Sequence, residues 1–193
     1  IVADVNGDGA TDICVACNTS TSFDINDDIQ QPGNCVPNHE HKNYDILGYL
    51  VEGELEHTDS LGNVNRAGPG QIQRMWCGRS IWHTEASVGT VPARYLQLWI
   101  IPKDEYFNTE PFYEIINKGP EFGDLGIALK QDMRIRGGIL SNPVTTPLAY
   151  LYVVSGTCTV NGTTLSDGDG AELENETVVP ADNPHIILFE PVA

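Results

Sequence analysis

From residue 44 onward the apolar residues fall in short runs broken by turn clusters, and no segment sustains a helical period. Tyr44 to Leu50 is followed by Val51-Glu52-Gly53-Glu54-Leu55-Glu56-His57, which alternates as a half-buried strand does. Leu61-Gly62-Asn63 and Ala67-Gly68-Pro69-Gly70 read as turns. Further strands are expected at Gln71 to Met75, Ile81 to His83 and Tyr95 to Ile101, where Pro102 stops the run. A second series covers Ile127 to Leu129, Arg134 to Leu140, Ala149 to Val154, Cys158 to Val160, Ala171 to Leu173 and Ile186 to Phe189. Asn161-Gly162 between two short β-prone runs is a strong hairpin signal. Short strands at regular spacing predict an all-β protein built from barrels or a sandwich.

The two series echo each other. Gly48-Tyr49-Leu50-Val51-Glu52-Gly53-Glu54-Leu55-Glu56 parallels Ala149-Tyr150-Leu151-Tyr152-Val153-Val154-Ser155-Gly156-Thr157, and each leads to a Gly-rich turn, Gly68-Pro69-Gly70 or Asp167-Gly168-Asp169-Gly170. This points to a duplicated barrel. The expected division is an atypical acidic segment over 1–22, a first barrel over 23–102, a polar connector over 103–125 and a second barrel over 126–193.

Composition narrows the partners. The chain has 193 residues, 40% hydrophobic and 8% aromatic, enough to bury a core without disulfide staples. A formal charge of −17, with 27 acidic against 10 basic side chains, repels phosphate backbones and anionic lipid surfaces. Direct nucleic-acid binding and membrane anchorage are therefore not expected. No apolar run reaches the 18 or so residues of a membrane span, and no signal segment opens the chain. Ile1 in place of Met suggests a processed chain or a fragment. The five cysteines, Cys14, Cys17, Cys35, Cys77 and Cys158, form no disulfide framework, and the Cys14/Cys17 pair lacks the second pair that a four-thiolate zinc site needs.

The chemistry concentrates in two short motifs. His39-Glu40-His41 places two imidazoles at i, i+2, on one face of a strand. His83-Thr84-Glu85 repeats the spacing with an imidazole and a carboxylate. A lone His-x-His is more often a packed or surface pair. Two such pairs on neighbouring strands would make a site of three imidazoles and one carboxylate, suited to Fe, Cu, Ni, Mn or Zn.

These motifs sit in a wider pattern. Gly33, the His39/His41 pair, Tyr49-Leu50-Val51-Glu52-Gly53-Glu54-Leu55-Glu56-His57 with Asp59-Ser60-Leu61-Gly62-Asn63, Pro69-Gly70-Gln71-Ile72-Gln73-Arg74-Met75, Gly78, His83-Thr84-Glu85 and Leu96 to Pro102 resemble the pirin family of the cupin superfamily. Leu151 to Gly156, Asn161-Gly162 and Gly168-Asp169-Gly170 resemble its second barrel. The resemblance implies a bicupin, two tandem jelly-roll barrels, with a mononuclear metal, usually iron, in the first. By position the ligands fall on His39, His41, His83 and Glu85. The second barrel has only His185, so no metal is expected there. Several relatives are similar to quercetin 2,3-dioxygenases, which implies a flavonoid-like aromatic substrate, with Glu85 as general base for the 3-hydroxyl proton. Other relatives look like transcriptional cofactors, so two non-catalytic readings stay open: a structural or assembly subunit, homo-oligomeric or otherwise, and a metal-dependent regulatory protein. This chain departs from the family with Glu40 where Pro is usual, and with bulky Trp76-Cys77 before Gly78 and Trp82 beside His83. Those aromatics serve either as pocket walls or as core filler.

The acidic start stands apart. Residues 1–35 carry six Asp and no Lys or Arg. Asp4-Val5-Asn6-Gly7-Asp8-Gly9-Ala10-Thr11-Asp12 has oxygen ligands at positions 1, 3, 5 and 9 and Gly at 6, a calcium-loop pattern, but position 12 is Val15 rather than Glu. Calcium on Asp4, Asn6, Asp8 and Asp12 and a solvated acidic turn are both open. Glycosylation sequons at Asn18, Asn161 and Asn175 favour an extracellular setting, whereas the family resemblance implies a cytoplasmic one.

Overall fold

The computed structural model describes residues 2–3, 12–16 and 22–192, with side chains from residue 23 onward. The chain divides into two compact units, Ile1–Lys118 and Gly119–Ala193. Asp4, Asn6, Asp8, Cys17 and Asn18 lie outside the described residues, as do the side chains of Asp12 and Cys14. Among the described residues one 3₁₀ turn, Asp104–Tyr106, is the only helical element, and the fold is all-β.

The first unit is made of two facing sheets. One runs in the order β1-β2-β3-β10-β5-β8-β11, where β1 is Val2–Ala3, β2 Asp12–Ala16, β3 Ser22–Gln30, β5 Asp45–Glu52, β8 Gln71–Trp76, β10 Ala93–Ile100 and β11 Phe112–Asn117. The other runs β4-β9-β6-β7, where β4 is Cys35–His41, β6 Leu55–Asp59, β7 Val64–Ala67 and β9 Ile81–Ser87. Alternating apolar residues fill the space between, with Leu50, Leu55, Ala67, Ala93 and Tyr95 in one cluster and Ile46, Met75, Cys77 and Ile81 in another. A buried ion pair pins β5 to β8: Arg74 donates from Nε and Nη2 to both Asp45 oxygens, at 3.0 and 2.9 Å.

The second unit is one sheet in the order β12-β13-β18-β14-β17-β15-β16. These are β12 Gly123–Asp124, β13 Met133–Ile139, β14 Val144–Ser155, β15 Cys158–Val160, β16 Thr163–Leu165, β17 Gly170–Pro180 and β18 His185–Pro191. The β15–β16 hairpin closes on Asn161-Gly162 with both residues at positive φ (49° and 78°), the backbone a type I′ turn requires. Asn161 and Asn175 are both exposed.

The internal repeat is visible at equivalent turns. Gly53 follows β5 and Gly156 follows β14, at φ 71° and 82°. A Cβ on Gly53 would lie 2.4 Å from the Pro92 carbonyl oxygen, and one on Gly156 would lie 2.9 Å from Pro184 Cα. Each contact is with the segment that enters its unit's last long strand, so glycine is needed twice for the same close approach.

Two expectations change. Residues 103–125, read as a connector, contain β11, which pairs with β8 from Phe112↔Trp76 to Asn117↔Gln71 and so belongs to the first unit's sheet. Its alternation was obscured by polar flanks. Ile127 to Leu129 is not a strand: the Leu129 N–H bonds back to the Ile127 carbonyl at 3.0 Å, a local turn that leaves no ladder to join.

A polar knot organises β13, β14 and β18. Glu190, 4% exposed, accepts from Arg134 (3.0 and 2.7 Å), Arg136 (3.0 and 2.7 Å) and the Thr146 hydroxyl (2.9 Å). Burial pushes its carboxyl up, but the bonds from Arg136, Thr146 and Arg134 outweigh that and hold it below the ordinary 4.5. Because its folded pKa is depressed, its contribution is present above pH 4.5 and is lost as pH falls through the folded value. Glu190→Gln is expected to lower stability at neutral pH by about 2 kcal/mol and to flatten the acid loss of stability. Denaturant titrations of both proteins from pH 7 down to the acid limb check this; parallel curves would contradict it.

Candidate metal centre

The site is built by strand register. Opposed residues of an antiparallel pair project to the same face. β4 pairs with β9 as Cys35↔Ala86 and Val36↔Glu85, but then as His39↔His83, Glu40↔Trp82 and His41↔Ile81. The shift is a bulge holding one extra residue on β4, at Pro37-Asn38. Without it His39 would lie opposite Trp82, which is 44% exposed and points outward. With it, His39 and His41 join His83 on the inner face.

On that face the ligand nitrogens of His39, His41 and His83 all lie within 4.8 Å of one another. Their ring centroids are 4.3 to 5.0 Å apart. Burial, reinforced by the neighbouring His39, lowers His41 to about 4. Burial together with His39, His57 and His41 lowers His83 to about 2, against a small opposing pull from Asp59. Both are thus neutral at pH 7 and offer lone pairs, the form that binds a metal. His39 Nδ1 donates to the Pro37 carbonyl at 2.8 Å, which leaves Nε2 as its free nitrogen. His83 Nε2 is buried with no hydrogen-bond partner among the described residues. Three imidazoles converging around an unsatisfied buried nitrogen, two of them held neutral, fit a transition-metal ion.

Glu85 is outside this tight group. It lies two residues from His83 on the inner face of β9, 6% exposed, and its Oε2 accepts from Gln97 Nε2 at 3.3 Å. Gln97 on β10 is held in turn by Trp99, whose indole N–H donates to Gln97 Oε1 at 2.7 Å. Burial first, and Asp28 second, push Glu85 up to about 7, against the Gln97 bond. A carboxylate so placed can exchange a proton near neutral pH.

Residues given no role by the sequence complete the walls. Trp99 sets its ring edge-on to His41 (4.7 Å, 85°) and packs against Tyr44. Tyr113, from β11, stacks flat on His57 (4.0 Å, 7°). Its hydroxyl is buried without a hydrogen-bond partner among the described residues and is held above its ordinary range by burial, Glu85 and Asp59, so it stays a donor. The tryptophans singled out earlier lie elsewhere: Trp76 is core, donating to Thr109 Oγ1 at 3.1 Å, and Trp82 faces away from His83. Period-2 alternation would have placed Gln97 and Trp99 on one face, and likewise His57 and Asp59. Only the pairing of strands and sheets reveals that the first pair reaches Glu85 and His41 and the second reaches His83.

A double-barrelled all-β chain with three imidazoles converging inside its first barrel is a cupin with a centre suited to a transition metal. Residues 14–100 match the family model of Pirin, and residues 120–190 match that of the quercetinase C-terminal cupin domain. The chain is 31% identical to a pirin-like protein of Caulobacter vibrioides, over 80% of this chain and 75% of that protein. It is 29% identical to quercetin 2,3-dioxygenase of Escherichia coli K12, over 86% of this chain and 80% of that enzyme. Its fold superposes with a TM-score of 0.82 on bacterial pirin YhhW from Escherichia coli in complex with nickel(II), at 24% identity and covering 100% of this chain and 95% of that one. The chain belongs to the pirin family.

His39→Ala and His83→Ala are each expected to weaken nickel(II) binding by about 100-fold or more, beyond what loss of an outer hydrogen bond does. Nickel at 100 times its dissociation constant should stabilise the unaltered chain by about 2.7 kcal/mol. Titration calorimetry and thermal melts check both; unchanged binding in either variant would remove that residue from the ligand set.

Proposed function

We propose that the chain is a metal-dependent dioxygenase of the quercetinase type, acting on flavonol-like substrates. The observation that carries this reading is the pairing, on one sheet face, of the three-imidazole cluster with a buried carboxyl at about 7, braced by Gln97 and Trp99. Metal storage or structural use needs the imidazoles but gives no reason for a proton acceptor poised near neutrality. The relatives named quercetin 2,3-dioxygenase, and the nickel complex of a pirin, support the same reading.

The ligand set in this reading is His39, His41, His83 and Glu85, with iron as the first candidate and Cu, Ni, Mn or Zn as alternatives. A bound metal would supply Lewis acidity and orient the substrate 3-hydroxyl and 4-keto oxygens. Glu85 takes the 3-hydroxyl proton, leaving the flavonolate that reacts with dioxygen as the central ring opens and carbon monoxide leaves. Gln97 keeps the Glu85 carboxyl from rotating, because its own amide is oriented by the Trp99 indole. Trp99 and Tyr44 offer aromatic faces to a planar substrate. Tyr113 keeps a hydroxyl donor beside the same carboxylate.

Glu85→Gln should lower kcat with quercetin on the order of 100- to 10,000-fold. In the unaltered chain the rate should fall as pH drops below about 7, where Glu85 becomes protonated and cannot accept a proton. A bound cation moves this limb only downward, because positive charge favours the carboxylate. Oxygen uptake with carbon monoxide release, measured on metal-loaded protein across a flavonol panel, decides the matter. No turnover by a chain with stoichiometric metal would contradict the enzyme reading and leave a binding role.

A further inference from the structure

His57 and Asp59 lie beneath the cluster and are not among its converging ligands. The pairings His57↔Glu85 and Asp59↔His83 put both side chains on the same inner face as the imidazoles. Both His57 and His83 are 1% exposed. Two hydrogen bonds link the three residues in line: His57 Nε2 to Asp59 Oδ2 at 3.0 Å, and His57 Nδ1 to His83 Nδ1 at 3.3 Å.

The direction of each proton follows from the far end. The Asp59 oxygens receive four N–H bonds: from Leu61 N (2.9 Å), from Asn63 N (3.0 Å) and from Asn63 Nδ2 to each oxygen (3.2 and 2.9 Å). A carboxyl group holding that many donors is an acceptor at every position, so His57 Nε2 carries the hydrogen it shares with Asp59. A neutral imidazole has one N–H, so His57 Nδ1 is a lone pair. It must then accept from His83 Nδ1, and His83 keeps its own lone pair on Nε2, the buried atom with no partner. Any other assignment with neutral rings sets two lone pairs against each other at His57.

We infer that His57, oriented by Asp59, is a positioning residue that fixes His83 in the tautomer able to ligate through Nε2. The role matches that of the Pro37 carbonyl toward His39, which reaches the same result with a backbone acceptor. The hairpin turn that carries Leu61 and Asn63 is thereby tied to the centre through Asp59. The inference rests on the metal-centre reading only for its consequence; the tautomer itself is a property of the metal-free chain.

Asp59→Asn is the decisive variant. Its carbonyl oxygen would take the Oδ1 place, where Leu61 N, Asn63 N and Asn63 Nδ2 donate, and its amide nitrogen would take the Oδ2 place, facing His57 Nε2 and giving up the 2.9 Å bond from Asn63 Nδ2. That reverses His57, and through it His83, to the Nε2–H form. Long-range ¹H–¹⁵N spectra of metal-free protein should show Nδ1 protonated and Nε2 bare on His83 in the parent, and the reverse in Asp59→Asn. Nickel(II) titration should show affinity about 10- to 100-fold weaker in the variant. His57→Gln, whose amide can both donate to Asp59 and accept from His83, should stay within a few-fold of the parent, whereas His57→Phe should fall with Asp59→Asn. An unchanged His83 tautomer in Asp59→Asn, or a reversed one with undiminished nickel affinity, overturns the inference. So does His57→Gln weakening as much as His57→Phe. Should the parent bind no nickel, the metal reading fails on its own, and the spectra still decide the relay.

Discussion

The candidate centre depends on one extra residue in one strand. Between Val36 and His39 the pairing of β4 with β9 advances by a residue, and every side chain after that point changes face. Side chains in a ladder alternate strictly, so a bulge is the least disruptive way to reverse the parity of a strand without moving the strand itself. Pro37 suits the position because it has no N–H to leave unpaired. Its carbonyl accepts from His39 and sets that ring's tautomer. The bulge thus brings two imidazoles to the cluster and prepares one of them.

What surrounds His41 and His83 keeps them neutral and oriented. His83 is buried among His39, His41 and His57, so a proton on any one ring raises the free energy of the others. The side chains that touch them are aromatic or are held by hydrogen bonds of their own. Trp99 meets His41 edge-on, Tyr113 covers His57, and the Asp59 carboxylate is saturated with N–H donors before it reaches His57. The facing sheet provides the other half: Gln97 and Trp99 from β10 fix Glu85, whose burial leaves it near neutrality. The four-stranded sheet carries the three imidazoles and Glu85, and the seven-stranded sheet holds the Glu85 carboxyl in place.

Much of this was legible in the chain itself. Period-2 alternation, the Asn161-Gly162 hairpin and the echo between the two halves were enough for an all-β duplicated fold, and the spacing of His39, His41, His83 and Glu85 was enough to nominate a site. β11 was missed because its run, Phe112 to Asn117, is short, half-buried and flanked by polar turns, so pairing with β8 rather than local pattern makes it a strand. Ile127 to Leu129 failed in the opposite sense: three apolar residues look like a strand but form a local turn. The aromatics beside the motif were judged by nearness in sequence, and β alternation sends Trp82 outward, while Trp99, sixteen residues beyond His83, returns to His41 on the other sheet. Contacts between sheets have no signature in a single strand.

The account stands on the three imidazoles forming one coordination sphere. X-ray absorption on the nickel(II)-loaded chain measures that sphere directly. The expected spectrum shows an inner shell of nitrogen and oxygen at about 2.1 Å, with outer-shell imidazole scattering that fits three rings and drops to two in His39→Ala. A shell of oxygen alone, or imidazole scattering unchanged by loss of His39, would contradict it.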